Sequence, residues 1–401
     1  MPRLRVLTVT SLAFSLLACD PPGPEFDPEL PEPAGQSFRL RGEEDAPVLA
    51  MDSPVALRFD SDKRFFYETS EAALLPQGLV AVANSRSGEI LIFDSTGTFV
   101  RAIGRAGGGP GEFQGLRSVI SMGGDTIAAF DSQTRTVSLF TISGNFLESF
   151  RIETPPEASP IGGARLAGLG GRRFLVSTFA MPTEEVLNQR PNQVVQVPVV
   201  AFAADLSDGS HVIIGKFPGD DQWFANAGGR EASYGRSPFA RQTWFGTFNN
   251  RVIVLRNTEP GFRIFRSDGT PDAVYQGSFR ARTVTDEDRD QFLARWFRDL
   301  HEEPYWGELK SSLEENGFPQ KMPYYRDAIV GSDGIVWIEP YETWRYGERL
   351  YVGYDSAGVA VGKLHLPHNG RLLSIGNGVA VVHRFDEFGV ENVYVQRFAQ
   401  P

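Results

Sequence analysis

The chain has 401 residues, with 50 Asp+Glu against 39 Lys+Arg, a net charge of −11 and a single cysteine. One cysteine excludes an internal disulfide framework and multi-cysteine zinc or iron–sulfur sites; the acidic balance argues against nucleic acid as a partner, because a basic patch supplies most of that affinity. With 42 glycines, 27 prolines and 12% aromatic residues, the composition is that of a turn-rich β protein, long enough for two or three domains or for one repeated all-β domain.

Arg3 and Arg5 precede a mostly apolar run, residues 6–17, that is too short to span a bilayer permanently. It ends in Leu16-Leu17-Ala18-Cys19, which resembles the signal motif of bacterial lipoproteins. The resemblance implies that residues 1–18 are a signal peptide and that Cys19 becomes the acylated first residue of the mature chain. Two or three acyl chains would then hold the protein on a membrane, one alone being marginal. Residues 20–33 carry six prolines and five acids, a composition that does not fold compactly, so 19–36 reads as a lipidated cysteine and tether. The implied address is the bacterial cell envelope, facing the periplasm or exterior. Beyond Leu17 no apolar run approaches 18 residues.

One unit then recurs: strand, turn with Gly, Asn or Asp, strand, second turn, further strand. The first copy holds GLVAVANS (78–85), EILIFDSTG (89–97) and TFVRAIG (98–104). The clearest copy, residues 116–152, reads RSVIS, a GGD turn, TIAAFDS, TVSLFTISG and NFLESFRI. Period-two alternation marks strands with one buried face, and the Gly and Asn turns suit hairpins. Looser copies start at 172, 251, 334 and 378. Anchored on Gly78, Asp125, Arg172, Arg251, Gly334 and Gly378, the six copies are spaced by 47, 47, 79, 83 and 44 residues. A four-stranded propeller blade takes about 40–50 residues, so residues 37–401 are predicted to form an all-β six-bladed β-propeller with insertions at 218–247 and 283–323. A pair of β-sandwiches, the alternative, does not account for the copy length. The sixth copy supplies only three strands, and an open edge invites aggregation. Residues 37–40 and 54–59 are spare apolar segments, so an N-terminal strand is expected to close the last blade.

The segment GRAGGGPGEF (104–113), with FDSTGTFVRAIG before it, is similar to NHL-type repeats and to related bacterial six-bladed β-propeller lipoproteins; GSDGIVWIEPY (331–341) resembles a strand turn of that group. The resemblance implies fold more than activity, because propellers host binding modules and unrelated enzymes alike. The glycine loop lacks the lysine and following helix of nucleotide fingerprints, so it reads as a blade-to-blade crossover.

In the 283–323 insertion, Thr285 with Asp288 gives a capping signal, and Phe292, Trp296, Phe297 and Leu300 follow at helical spacing. A helical insertion packed on one propeller face is predicted, with a second short helix from Pro304 to about Gly317. The 218–247 insertion lacks periodicity and reads as a long loop. Its Trp223, Phe224, Tyr234 and Trp244 are candidates to stack on a sugar or planar ligand, or to cover the blade beneath.

The sequence holds no H-E-x-x-H, G-x-S-x-G or EF-hand pattern. Among five scattered histidines only His365 and His368 are close, and they read as solvated surface; the acids at 286, 287, 288 and 290 read as a helix-start charge run. No catalytic residue, metal site or cofactor is assigned. Aligned on the turns, however, the inner strands carry a charged residue seven to ten positions upstream: Glu71, Arg117, Arg165, Arg241, Arg326 and Arg371. Inner strands line a propeller's channel, so these residues are expected to ring one mouth and attract an anion into an acidic protein. The sequence thus points to a lipid-anchored binding or scaffold module whose partners are the membrane, through Cys19, and a small anionic ligand or a protein. The alternative is a metal-dependent hydrolase or lyase of the six-bladed type, which needs inward carboxylates, Asn or His where these strands offer arginine.

Overall fold

The computed structural model describes residues 35–59, 64–158, 164–179, 193–227, 230–296, 310–311, 313–315, 317–341, 348–367 and 369–399. The signal segment, Cys19 and all but the end of the tether lie outside them. Two N-terminal strands, β1 (Gln36–Arg39) and β2 (Val55–Ala56), precede the strands of six blades, each antiparallel along the chain. Blade 1 is β3 (Thr69–Leu74), β4 (Val80–Asn84), β5 (Glu89–Phe93) and β6 (Phe99–Ile103); blade 2 is β7 (Leu116–Ser121), β8 (Thr126–Asp131), β9 (Thr136–Thr141) and β10 (Phe146–Arg151). Blade 3 is β11 (Arg165–Gly170), β12 (Arg173–Phe179), β14 (Val199–Asp205) and β15 (His211–Phe217), with β13 (Gln193–Gln196) leaving the blade between β12 and β14. Strands β16 (Asp221–Ala227) and β17 (Arg230–Arg236) follow, and blade 4 is then β18 (Thr243–Phe248), β19 (Arg251–Arg256), β20 (Gly261–Arg266) and β21 (Pro271–Gln276). Helix α1 (Asp286–Trp296) precedes blade 5, made of β22 (Tyr325–Val330), β23 (Val336–Pro340), β24 (Glu348–Tyr354) and β25 (Ala360–Pro367). Blade 6 is β26 (Arg371–Gly376), β27 (Val379–Phe385) and β28 (Glu391–Arg397).

The first strands of successive blades touch one another in a closed cycle, β3, β7, β11, β18, β22, β26 and back to β3. Between each pair of neighbouring blades lies one hydrophobic cluster. Ala81, Ile90 and Ile127 pack between blades 1 and 2, and Val82, Leu91, Val381 and Val393 between blades 6 and 1. The alternation expected of one-faced strands therefore holds only at the margins. Every residue of β4 and Ile90, Leu91, Ile92 and Phe93 of β5 are buried, because the middle strands of a blade are covered on both sides.

Blade 6 is completed by the N-terminus, as expected: β2 pairs antiparallel with β28, Val55 opposite Val395. The segment does more than close one blade. β1 adds a fifth, parallel strand to blade 4 on β21. The chain then bridges blade 5 at Arg41–Val359 and Val48–Lys363, reaches Phe398 through Met51, and ends on blade 1 at Arg58–Thr98. Residues 36–58 are thus a belt across the outer edges of four blades, with Leu40, Leu49 and Leu57 buried beneath it. Two hairpin turns beneath the belt require glycine. Gly97 has φ 81° and its missing Cβ would meet the Ala56 carbonyl at 2.5 Å; Gly358 has φ 74° with the Arg39 carbonyl at 2.8 Å.

The 218–247 insertion is not the loop expected. Strands β16 and β17 form a hairpin that joins β13 in a separate three-stranded sheet, and Thr243–Phe248 is already the inner strand of blade 4. The segment carries no apolar period, and charged pairs tie its base: Arg236 binds Asp220 at 2.8 Å and Arg241 binds Asp221 at 2.9 Å. In the other insertion, Thr285 and Asp288 form the predicted reciprocal cap at the start of α1, with Asp288 N donating to Thr285 Oγ1 at 3.2 Å and Thr285 N to Asp288 Oδ2 at 2.9 Å. Phe297, Leu300 and Pro304 lie outside the described residues.

Leu57→Ala is expected to cost about 2–5 kcal/mol of unfolding free energy by opening a cavity beneath the belt, whereas Val48→Ala, 61% exposed, stays within about 0.5 kcal/mol. Denaturant titration followed by far-ultraviolet circular dichroism checks both.

Candidate functional site

Each blade begins on its inner strand, so the first residues of β3, β7, β11, β18, β22 and β26 meet at one end of the axis. They open on a cavity of about 1670 Å³. Glu71, Arg117, Arg165, Arg326 and Arg371 all line it. Arg165 and Arg371 are the opening residues of β11 and β26, and Arg117 and Arg326 are the second residues of β7 and β22. Arg241 is not among the lining residues. It precedes β18, and its guanidinium grips Asp221 through Nε and Nη2 at 2.9 Å.

Glu71 is the single acid of the cluster. Enclosure pushes its carboxyl above the usual carboxylate range, against the pull of Arg165, a hydrogen bond from the Ser118 hydroxyl, and the charges of Arg117 and Arg371. The guanidiniums feel one another: burial, then the proximity of Arg165, lowers the proton affinity of both Arg117 and Arg371. Arg371 is steadied by a 2.7 Å hydrogen bond to the Thr69 carbonyl across the seam between blades 6 and 1. Arg117 and Arg165 make no salt bridge within 4 Å among the described residues. Within this group three guanidiniums stand around one carboxylate, and Asp327 and Glu391 also act on Arg371.

Arg326 is held differently. It donates to Glu339 at 3.2 Å, within a buried network in which Arg349 Nη2 reaches Asp327 at 2.7 Å and Nη1 reaches the Gly370 carbonyl at 2.6 Å. The Tyr351 hydroxyl donates to Asp327 at 2.8 Å. Burial alone would raise Asp327, but Arg349 and this hydroxyl hold its carboxyl below the usual range. Blade 5 thereby pairs its own charges, although Asp327 also acts on Arg371 of blade 6. Neither Arg349 nor Asp327 was marked by the repeat alignment; the available signal was Glu339, an acid inside the apolar stretch VWIEP. At the seam, the Glu391 carboxylate accepts the Glu68 and Thr69 N–H groups at 2.9 Å each. These bonds outweigh burial and keep Glu391 ionised below the usual range. His383 lies 3.3 Å from Glu391, and burial, then Arg371, lowers its pKa.

The inserted elements wall the same end. Asp220, Arg236, Phe239 and Phe292 line the cavity beside Tyr341, which follows β23 next to the start of β22. Phe239 packs on Phe292 at 5.9 Å and on Tyr341 at 6.0 Å. Trp244, on β18, lines the cavity and packs on Tyr325 at 5.7 Å, whereas Trp223 is buried against the inserted sheet. Tyr234 lies on β17, and its side chain is outside the described residues, as is that of Phe224. The glycine loop is a crossover: Gly107 N donates to the Phe113 carbonyl at 3.0 Å, and Glu112 caps Gly109 N at 2.8 Å, filling the loop with its own carboxylate. Among the described residues no three His, Cys, Asp or Glu side chains converge as a metal-holding group.

Residues 73–157 match a family described as 6-bladed beta-propeller. No curated protein matches the sequence. Among solved structures, a member of the DUF4221 family from Bacteroides vulgatus superposes with a TM-score of 0.51 at 11% identity, covering 90% of this chain and 100% of that one. A Bacteroides fragilis protein, provisionally described as exported, gives 0.47 at 14% identity over 91% and 99% of the two chains. The likeness to the first is one of fold. The chain is a six-bladed β-propeller.

Glu339→Gln is expected to cost about 3 kcal/mol of stability, because it leaves the buried Arg349 charge, and the half-buried Arg326, short of a partner. Arg105→Ala, which removes a guanidinium 78% exposed from its pair with Glu112, is expected to cost at most about 1 kcal/mol. Paired denaturant melts decide between these values.

Proposed function

We propose that this propeller is an extracytoplasmic binding protein, anchored through Cys19, whose channel captures a small anionic ligand. The observation that carries this is the convergence of Arg117, Arg165 and Arg371 on the cavity, with Glu71 as the acid that all three guanidiniums face. A positive pole inside a chain of net charge −11 focuses its field along the channel, and the surrounding acidic surface makes that pole distinctive to an arriving anion. Guanidiniums suit oxyanions because they donate paired hydrogen bonds and stay charged at all working pH values.

The belt supports the orientation. β1 runs parallel to β21, the outermost antiparallel strand of its blade, so Gly35 joins the ring at the end opposite the arginines. A tether leaving from there presents the cationic mouth away from the anchored side, toward ligand in solution. The alternative of a metal-dependent hydrolase or lyase is less well served, because a cationic channel end repels a metal ion.

Isothermal titration of the mature protein with inorganic sulfate, phosphate and citrate tests the proposal. Binding is expected, with Arg117→Ala and Arg165→Ala each weakening it about ten- to a hundred-fold, the range for hydrogen bonds to charged groups. Arg241→Ala, outside the cavity, leaves it unchanged. Absence of binding to all three anions, or equal binding by all variants, rejects the function.

A further inference from the structure

Around the cavity end, Arg236 is matched by Asp220, and Arg326 and Arg349 by Glu339 and Asp327. The Arg117, Arg165 and Arg371 cluster keeps two positive charges more than Glu71 supplies. We propose that this cluster takes a doubly charged oxyanion together with one proton, the anion held by the three guanidiniums and the proton by the Glu71 carboxylate. This rests on the anion-binding function above and adds to it the charge of the ligand and its coupling to pH.

The geometry forces the coupling. Glu71 faces Arg117 and Ser118 from β7, Arg165 from β11 and Arg371 from β26, so an oxyanion seated among these guanidiniums is a neighbour of the carboxylate. Two anions in one enclosed site repel, and the one that is more easily protonated gives up its charge. Sulfate and its esters hold no proton in the neutral range. The other acids near the cluster have nearer partners, Asp327 in Arg349 and Tyr351 and Glu391 in the Glu68 and Thr69 N–H groups; each is held below the usual carboxylate range while also acting on Arg371. Glu68 is exposed at the approach to β3. His383 is not among the residues lining the cavity, and burial, then Arg371, lowers its pKa. Glu71, which lines the cavity between these guanidiniums, is shifted upward by burial. The sign follows: as pH falls through the Glu71 titration the cluster passes from two to three net positive charges, and affinity for a dianion rises.

The experiment is calorimetric titration of the mature protein with inorganic sulfate between about pH 8 and about pH 5.5 at constant ionic strength, in buffers of differing ionisation enthalpy. Wild-type affinity is expected to rise toward the one-proton limit of about tenfold per pH unit, with uptake approaching one proton per sulfate. Glu71→Gln, permanently uncharged, binds at the wild-type low-pH affinity throughout, and His383→Gln retains the wild-type slope. Methanesulfonate, a monoanion of similar oxygen geometry, binds at least about tenfold more weakly than sulfate, one such factor reflecting the second charge. A pH slope shared by wild type and Glu71→Gln, or no slope in either, overturns the proton on Glu71 while leaving the anion site standing. Equal affinity for methanesulfonate overturns the double charge. Sulfate binding to neither protein at any pH overturns the site itself.

Discussion

Each blade buries both of its faces, so none is complete until its two neighbours are in place, and the ring has no stable form short of closure. That constraint explains the belt. A chain that starts and ends at different blades leaves one sheet a strand short, and the outer edges of blades 4, 5, 6 and 1 would otherwise present unpaired N–H and C=O groups. Residues 36–58 cover all four edges in one pass, with β2 supplying the missing strand of blade 6. The seam between blades 6 and 1 is then fixed from the inside by Arg371 on the Thr69 carbonyl and by Glu391 on the Glu68 and Thr69 N–H groups.

Closure also makes the cationic cluster sustainable. Three guanidiniums repel one another: burial first, and then Arg165, lowers the proton affinities of Arg117 and Arg371. No single sheet brings them together; they stand on blades 2, 3 and 6 and meet only because six clusters of apolar side chains hold the inner strands in a circle. The burial free energy of the blade interfaces, at about 25 cal/mol per Å² of apolar surface, offsets that repulsion. Sites of this kind are where sequences depart from local stability in favour of function. Blade 5 shows the contrast: Arg326, Asp327, Glu339 and Arg349 sit at the same end but neutralise one another, so they act as structure.

The fold was legible because its repeat is printed in the turns. Gly78, Asp125, Arg172, Arg251, Gly334 and Gly378 mark the turn after each inner strand, and the incomplete sixth copy called for a strand from the N-terminus. Two features were not legible. The belt's course along blades 4, 5 and 1 depends on edge pairing, which leaves almost no pattern in a segment as irregular as residues 41–54. The β16–β17 hairpin is tied by Asp220–Arg236 and Asp221–Arg241, and ion pairs between distant positions carry no periodicity. The cluster was half legible for a related reason. Counting upstream from a turn located the residues on inner strands, so Glu71, Arg117, Arg165, Arg326 and Arg371 lie on one cavity. It did not reveal which charges are spent on neighbours, as Arg326 is on Glu339, or that Arg241 falls before its strand begins.

The central claim is that ring closure builds an oxyanion site from Arg117, Arg165 and Arg371. The most direct measurement is a crystal structure of the protein soaked in selenate, a sulfate mimic located by its anomalous scattering. An anomalous peak within hydrogen-bond distance of those three guanidiniums is the predicted result. Selenate bound only at surface arginines, with the channel cluster empty at saturating concentration, would contradict it.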